Sequence, residues 1–321
     1  MSKKIFFGII GISLIGFLVI RAGWEEIWKV WQGVTPSFLV FMLTLQLLTL
    51  FLGAYQLFYL LGKKRKNVSL ADIFSVNLAG GFVESVTPSV KLGGEGAKIF
   101  LLKKITGRSY EDLTGVFITQ KFISLIPFTV ILFLVFLAGF SRFSIPQWFY
   151  GAFFFLVGVL IILTHIFFRG KIGTPFEGKN GLLKKLKTFT LKTIIAVKEN
   201  RKEISLLPML GISIVIWSLY PVKVFLISNF LGLELNFILV SLATFLAYLV
   251  SMLPLSPGGV GTFEGILVLI LNLNGVLLEE GLALVLFSRM ITFWVPLIWS
   301  GLAAIVVLKK FERKSFLGEG I

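Results

Sequence analysis

Apolar runs of about 20 residues recur along the whole chain, each long enough to cross ~30 Å of hydrocarbon as a helix. They predict full spans near 5–20, 36–62, 113–140, 146–168, 205–231 and 280–308. Two more apolar stretches are interrupted by proline and glycine: "GGFVESVTPSVKLGGEGAKIFLLKK" (80–104) and "SMLPLSPGGVGTFEGI" (251–266). The expected fold is therefore all-α: a polytopic membrane protein with about six full spans plus two re-entrant or broken helical hairpins. Residues 1–321 form one transmembrane domain.

The two interruptions share a pattern. Gly93, Gly94 and Gly96 align with Gly258, Gly259 and Gly261, with a proline shortly before each Gly-Gly pair. Each break follows a full span and an apolar arm of about 70–88 or 236–254. A shorter arm and then a long span come next. This predicts two repeats, about 36–140 and about 205–308, joined through a linker at 169–204.

Charge supplies the orientation. Of 31 Lys and Arg residues, 23 fall in the stretches Lys3–Lys4, 63–66, 103–108, 169–204 and 309–314. The opposite loops carry only Arg21, Lys29 and Arg142, alongside five glutamates. Cytoplasmic loops concentrate basic residues, so both termini are expected in the cytoplasm of a cell-membrane protein. The first broken hairpin then enters from the cytoplasm and the second from outside. The repeats are therefore inverted, as in many secondary transporters. The basic linker is expected on the anionic inner leaflet, with docking of a cytosolic or membrane synthase as the rival reading. Nucleic acid is not an expected partner, because the net charge of +15 comes with no recognition module.

Composition removes several chemistries. Without cysteine there is no disulfide, thiolate nucleophile or cysteine-ligated metal, and the single His165 cannot build a histidine zinc site. No metal and no cofactor are expected. The N-terminal apolar stretch lacks a small-residue cleavage site and reads as an uncleaved first helix. Trp24, Trp28, Trp31 and Trp148 read as interfacial anchors.

What remains is a small set of charges inside apolar segments: Glu84, Lys91, Glu95, Lys98, Lys121, Lys223, Glu264 and Arg289. Each costs roughly 3 kcal/mol if it faces lipid, so they should face the interior or one another. Short helices beginning at Gly94 or Gly261 would present amide N–H groups and a positive dipole end to an anionic group. Lys98 offers a point charge and Arg289 a bidentate grip. Glu264 reads as a helix cap, an ion-pair partner of Arg289 or Lys121, or a proton carrier. Lys121 and Arg289 lie 28 and 31 residues after Gly93 and Gly258, which makes them a symmetric pair. Lys223, beside Pro221, reads as a weaker candidate that snorkels to the interface.

At "LPLSPGGVGTFEG" the chain resembles the membrane domain of lysylphosphatidylglycerol synthases, the flippase-like membrane proteins. The family's Pro-Gly-Gly-x-Gly-x-x-Glu motif is matched by Pro257, Gly258, Gly259, Gly261 and Glu264. Its later arginine-bearing helix is matched by Arg289, and an earlier Gly-Glu motif with a following base by Gly94, Glu95 and Lys98. The chain departs from the pattern with Gln120–Lys121 where many relatives carry Glu-Arg, and it has no soluble aminoacyl-transferase domain. The resemblance thus implies movement of a lipid between leaflets rather than lysine transfer.

The expected function is a lipid flippase or transporter for an anionic or aminoacylated phospholipid or a lipid-linked precursor. Gly93, Gly94, Glu95, Lys98, Lys121, Pro257, Gly258, Gly259, Gly261, Glu264 and Arg289 are the expected substrate-binding residues. Two rival readings are a membrane-embedded enzyme acting on a lipid or polyprenyl phosphate, and a non-catalytic partner of a separate synthase.

Overall fold

The computed structural model describes residues 24–62, 68–87, 92–169, 181–203, 205–253 and 256–316, and in them every regular element is helical. The expected first span (5–20), the basic loop 63–66, Lys91 and the stretch 170–180 lie outside these residues. A short helix α1 (Trp24–Trp31) leads into α2 (Pro36–Leu61), which Thr35 caps and Pro36 starts. The first hairpin pairs α3 (Leu70–Val86) with α4 (Leu92–Thr106). A reciprocal Ser69–Asp72 capping box sets the start of α3. The long helix α5 (Tyr110–Gly139) follows, then α6 (Gln147–Arg169) and the basic α7 (Gly181–Glu203).

The second half repeats the order. Helix α8 (Leu206–Phe230) precedes a hairpin of α9 (Phe237–Ser251) and α10 (Thr262–Asn272). Helix α11 (Leu278–Arg289) then runs through a π-turn at Met290–Trp294 into α12 (Val295–Phe316). In the π-turn the Val295 N–H donates to the Met290 carbonyl. Pro296, next in the chain, has no N–H for an ordinary helical bond, and the extra residue absorbs that gap.

Four continuous helices are long and apolar enough to cross a membrane among the described residues: Pro36–Leu61, Tyr110–Gly139, Leu206–Phe230 and Leu278–Lys309. These match four of the six expected spans. The expected span at 146–168 is a helix, but its described apolar portion is only Gln147–Val159. The hairpin helices have 17, 15, 15 and 11 residues, each shorter than the roughly 20 that a span requires. Large apolar side chains such as Val40, Phe41, Phe155, Leu207 and Val306 point outward, as lipid contact demands.

Packing shows how the halves interlock. The first hairpin shares a core with the N-terminal half of α5, through Leu57, Ile73, Val76, Leu102, Leu113 and Val116. The second hairpin packs around the C-terminal half of the same helix, through Phe128, Leu132, Phe245, Leu246 and Leu267. The two hairpins therefore sit at opposite ends of α5. Helix α12, from the second half, runs along α3 of the first, while α9 of the second lies against α5 of the first. Small residues bring α12 and α3 close: a Cβ on Gly81 would lie 3.5 Å from Ser300 Oγ, and one on Gly301 would lie 3.4 Å from the Phe82 ring.

The basic segment expected on the inner leaflet has a protein partner as well. Helix α7 packs along α5, where a Cβ on Gly115 would lie 2.8 Å from Ala196 Cβ. Lys192 reaches to 3.9 Å from Glu111 across the same contact.

Candidate functional site: two interrupted hairpins

The second break is a sealed latch. Pro257–Gly259 form a single 3₁₀ turn, and Gly258, Gly259 and Gly261 hold φ of +59°, +69° and +84°. L-residues rarely adopt that left-handed region, which accounts for the glycines. At Gly258 there is also no room, since a Cβ would lie 2.3 Å from the Phe293 ring. Glu264 turns back to accept from the Gly261 N–H at 2.7 Å, capping α10. Its other oxygen accepts from Arg289 Nε at 2.7 Å. Arg289 Nη2 then reaches the Gly258 carbonyl at 2.9 Å, and the guanidinium lies 4.1 Å from the Phe293 ring centre. Glu264 is 1% exposed and Arg289 7%, so this pair sits in a dry, low-dielectric setting.

Beside the first break, a pair of the same residue classes is less covered. Glu95, in the first turn of α4, lies 2.9 Å from Lys121 of α5. The side chains are 20% and 40% exposed. Their separation of 26 residues nearly repeats the 25 between Glu264 and Arg289. Gly93 and Gly94 fall within α4 itself. A Cβ at Gly94 would lie 2.6 Å from the Gly80 carbonyl, and one at Gly80 would lie 2.2 Å from Lys98 Cγ, so the hairpin closes over the lysine stem. Gly96 has open space around its Cβ position.

The end of α3 meets the second break. A Cβ on Gly258 would lie 3.3 Å from the Ser85 carbonyl, at the end of α3. The expected residues thus form two clusters: Gly94, Glu95, Lys98 and Lys121 in one, Gly258, Gly259, Gly261, Glu264 and Arg289 in the other. Among the described residues no ion pair crosses between them. Of the alternatives for Glu264, the structure shows helix cap and Arg289 partner together; Lys121 pairs with Glu95 instead.

Three features were not legible in the sequence. Arg108, read as a loop cation, is 8% exposed, bonds the Leu61 carbonyl at 3.0 Å and grips Asp112 with two nitrogens. Only the Asp four residues on hinted at that pair. Phe293, indistinguishable from 33 other phenylalanines, fills the Gly258 notch. Lys223 does not snorkel: it is fully buried, with Nζ 2.5 Å from Gln46 Oε1 and 3.2 Å from Thr49 Oγ1 of α2.

The profile of a known family, the lysylphosphatidylglycerol synthase TM region, matches residues 5–300. The chain belongs to that family. Similar proteins include a UPF0104 membrane protein of Methanothermobacter thermautotrophicus, 23% identical over 309 residues that cover 89% of this chain and 90% of that protein. Another, from Pyrococcus horikoshii, is 23% identical over 331 residues, covering 96% of this chain and 97% of its own. A third, from Methanocaldococcus jannaschii, is 20% identical over 323 residues, with 94% and 95% covered. No solved structure matches the chain. This member of the family is a helical integral membrane protein.

Proposed function

We propose that this protein moves a lipid with an anionic or aminoacylated headgroup, or a lipid-linked precursor, between the leaflets of the cell membrane. The observation that carries the reading is the placement of two short hairpins at opposite ends of α5, with the end of α3 at Ser85 against Gly258 of the second break. Irregular backbone at membrane depth is tolerated where protein or a cavity covers it, and mirrored breaks of this kind line transport sites. With both termini cytoplasmic, as the lysine and arginine asymmetry favours, the first break faces the cytoplasm and the second the outside, which makes the halves an inverted repeat.

The chemistry of the two clusters fits binding better than bond cleavage. Glu264, the buried carboxylate best placed for acid–base work, already serves Arg289 and the Gly261 amide. The accessible Lys121 ammonium, by contrast, is held by one partly exposed carboxylate. An anionic headgroup can replace Glu95 there with little desolvation, while Lys98 and the start of α4 add positive field.

The test uses liposomes holding fluorescent phosphatidylglycerol, phosphatidylethanolamine or cardiolipin and a membrane-impermeant quencher outside. With protein, the quencher should reach the inner-leaflet fluorophore of at least one of these lipids. Lys121→Gln should slow that movement by about tenfold, the worth of one charge-assisted contact. Equal protection with and without protein for every lipid would overturn the reading.

A further inference from the structure

The transport reading leaves one buried charge without a role. Lys223 lies on α8, and its ammonium enters the seam between α8 and α2, the first helices of the two halves. Two N–H groups are accounted for by Gln46 Oε1 and Thr49 Oγ1, both themselves buried. The third direction is occupied by the face of Tyr220, whose ring centre is 4.8 Å from Nζ. A neutral amine has two N–H groups, and the two acceptors take both of them. The third proton of the ammonium meets an aromatic face rather than a carboxylate.

No carboxylate forms an ion pair with Lys223 among the described residues. Helix α2 carries no charged residue, and α9 contributes only Tyr248. On α5 and α11 the charges are engaged elsewhere: Lys121 by Glu95, Asp112 by Arg108, Glu111 beside Lys192, and Arg289 by Glu264. Glu279 and Glu280 sit in the first turn of α11, at the opposite end from Arg289. A chain of rings links the lysine to the second break. Tyr220 and Tyr248 are 4.7 Å apart, Tyr248 and Phe263 4.9 Å, and Phe263 lies 5.2 Å from the Arg289 guanidinium.

We propose that Lys223 is a proton-binding site that couples lipid movement to protons: Nζ takes a proton from water when α2 and α8 separate, and gives it back to the departing water when they close and leave acceptors for only two N–H groups. On closing, the bond broken is N–H on the ammonium, the product is the neutral amine, and water carries the proton away. The inference rests on the transport reading. An amine buried between two parts that move against each other is where uptake and release can be tied to that motion.

The experiment compares the full chain with Lys223→Met and Lys223→Gln in liposomes carrying fluorescent phosphatidylglycerol, phosphatidylethanolamine and cardiolipin. Transport is read from about pH 5 to pH 9, and with an imposed pH gradient. Replacing a buried charge by an apolar group of similar size is tolerated, and the glutamine variant supplies a second neutral form should methionine unfold the protein. For the native protein the rate should change by roughly tenfold across that range, and the gradient should drive lipid to one leaflet. Either variant should move lipid with less than about a twofold pH response and no response to the gradient. Native-like pH and gradient responses in a folded variant overturn the coupling and leave transport standing. No lipid movement by any protein at any pH overturns the transport reading, and the coupling with it.

Discussion

The two breaks use one set of ingredients with opposite outcomes. Each has a carboxylate early in its returning arm and a cation about seven helical turns later in the chain. At the second break the pair is buried, every left-handed turn position is glycine, and Phe293 closes the notch. At the first break the pair is partly exposed, and Gly93, Gly94 and Gly96 lie within a helix rather than a strained turn. The difference lies in how far protein covers each pair. A sealed pair holds the second break shut and makes its carbonyl and amide groups unavailable to a headgroup, while the open pair at the first break can exchange partners.

Cutting each pair is the strongest way to break this comparison. Glu264→Ala or Arg289→Ala leaves a buried charge alone and should lower unfolding free energy by about 3–5 kcal/mol in a detergent denaturation series. Glu95→Ala or Lys121→Ala should lower it by at most about 1 kcal/mol, because water screens the survivor. The double variant Glu264→Leu/Arg289→Met should recover most of the loss. Similar costs at both breaks would mean that the first pair is as buried in the membrane as the second.

The aligned glycines give a smaller contrast. Gly261→Ala places a side chain at φ +84° and should cost about 1–3 kcal/mol. Gly96→Ala, at an exposed helical position with open space, should gain up to about 1 kcal/mol. The same denaturation series reads both. Equal losses would mean that Gly96 is held by a contact of its own.

How much of this was legible follows from what each signal depends on. Hydropathy located the four long apolar helices to within a few residues, because lipid solvation acts on every side chain of a span; Pro36–Leu61 against 36–62 is representative. Proline and glycine marked the two places where short helices follow one another, but the aligned glycines differ in backbone: Gly93, Gly94 and Gly96 are helical, and Gly258, Gly259 and Gly261 are left-handed. Glu264 could not be assigned from spacing alone, since the choice between Arg289 and Lys121 depends on which helix crosses which. Lys223 was misjudged for the same reason. A lysine near Pro221 looks free to reach the interface until Gln46 and Thr49 of another helix are placed beside it. Helix α7 read as a leaflet-surface segment because its lysines dominate the pattern, whereas Gly115 and Ala196 decide its contact with α5.

The proposed lipid movement requires one half to move against the other, and the absence of cysteine allows a direct test. Cysteines at Gly81 and Ser300 would join α3 of the first half to α12 of the second, across a contact already within disulfide reach. The account predicts that the oxidised double variant, with cross-linking verified on a gel, stops moving fluorescent lipid in liposomes and regains it on reduction, while each single variant transports normally. Full transport by the cross-linked protein would contradict it.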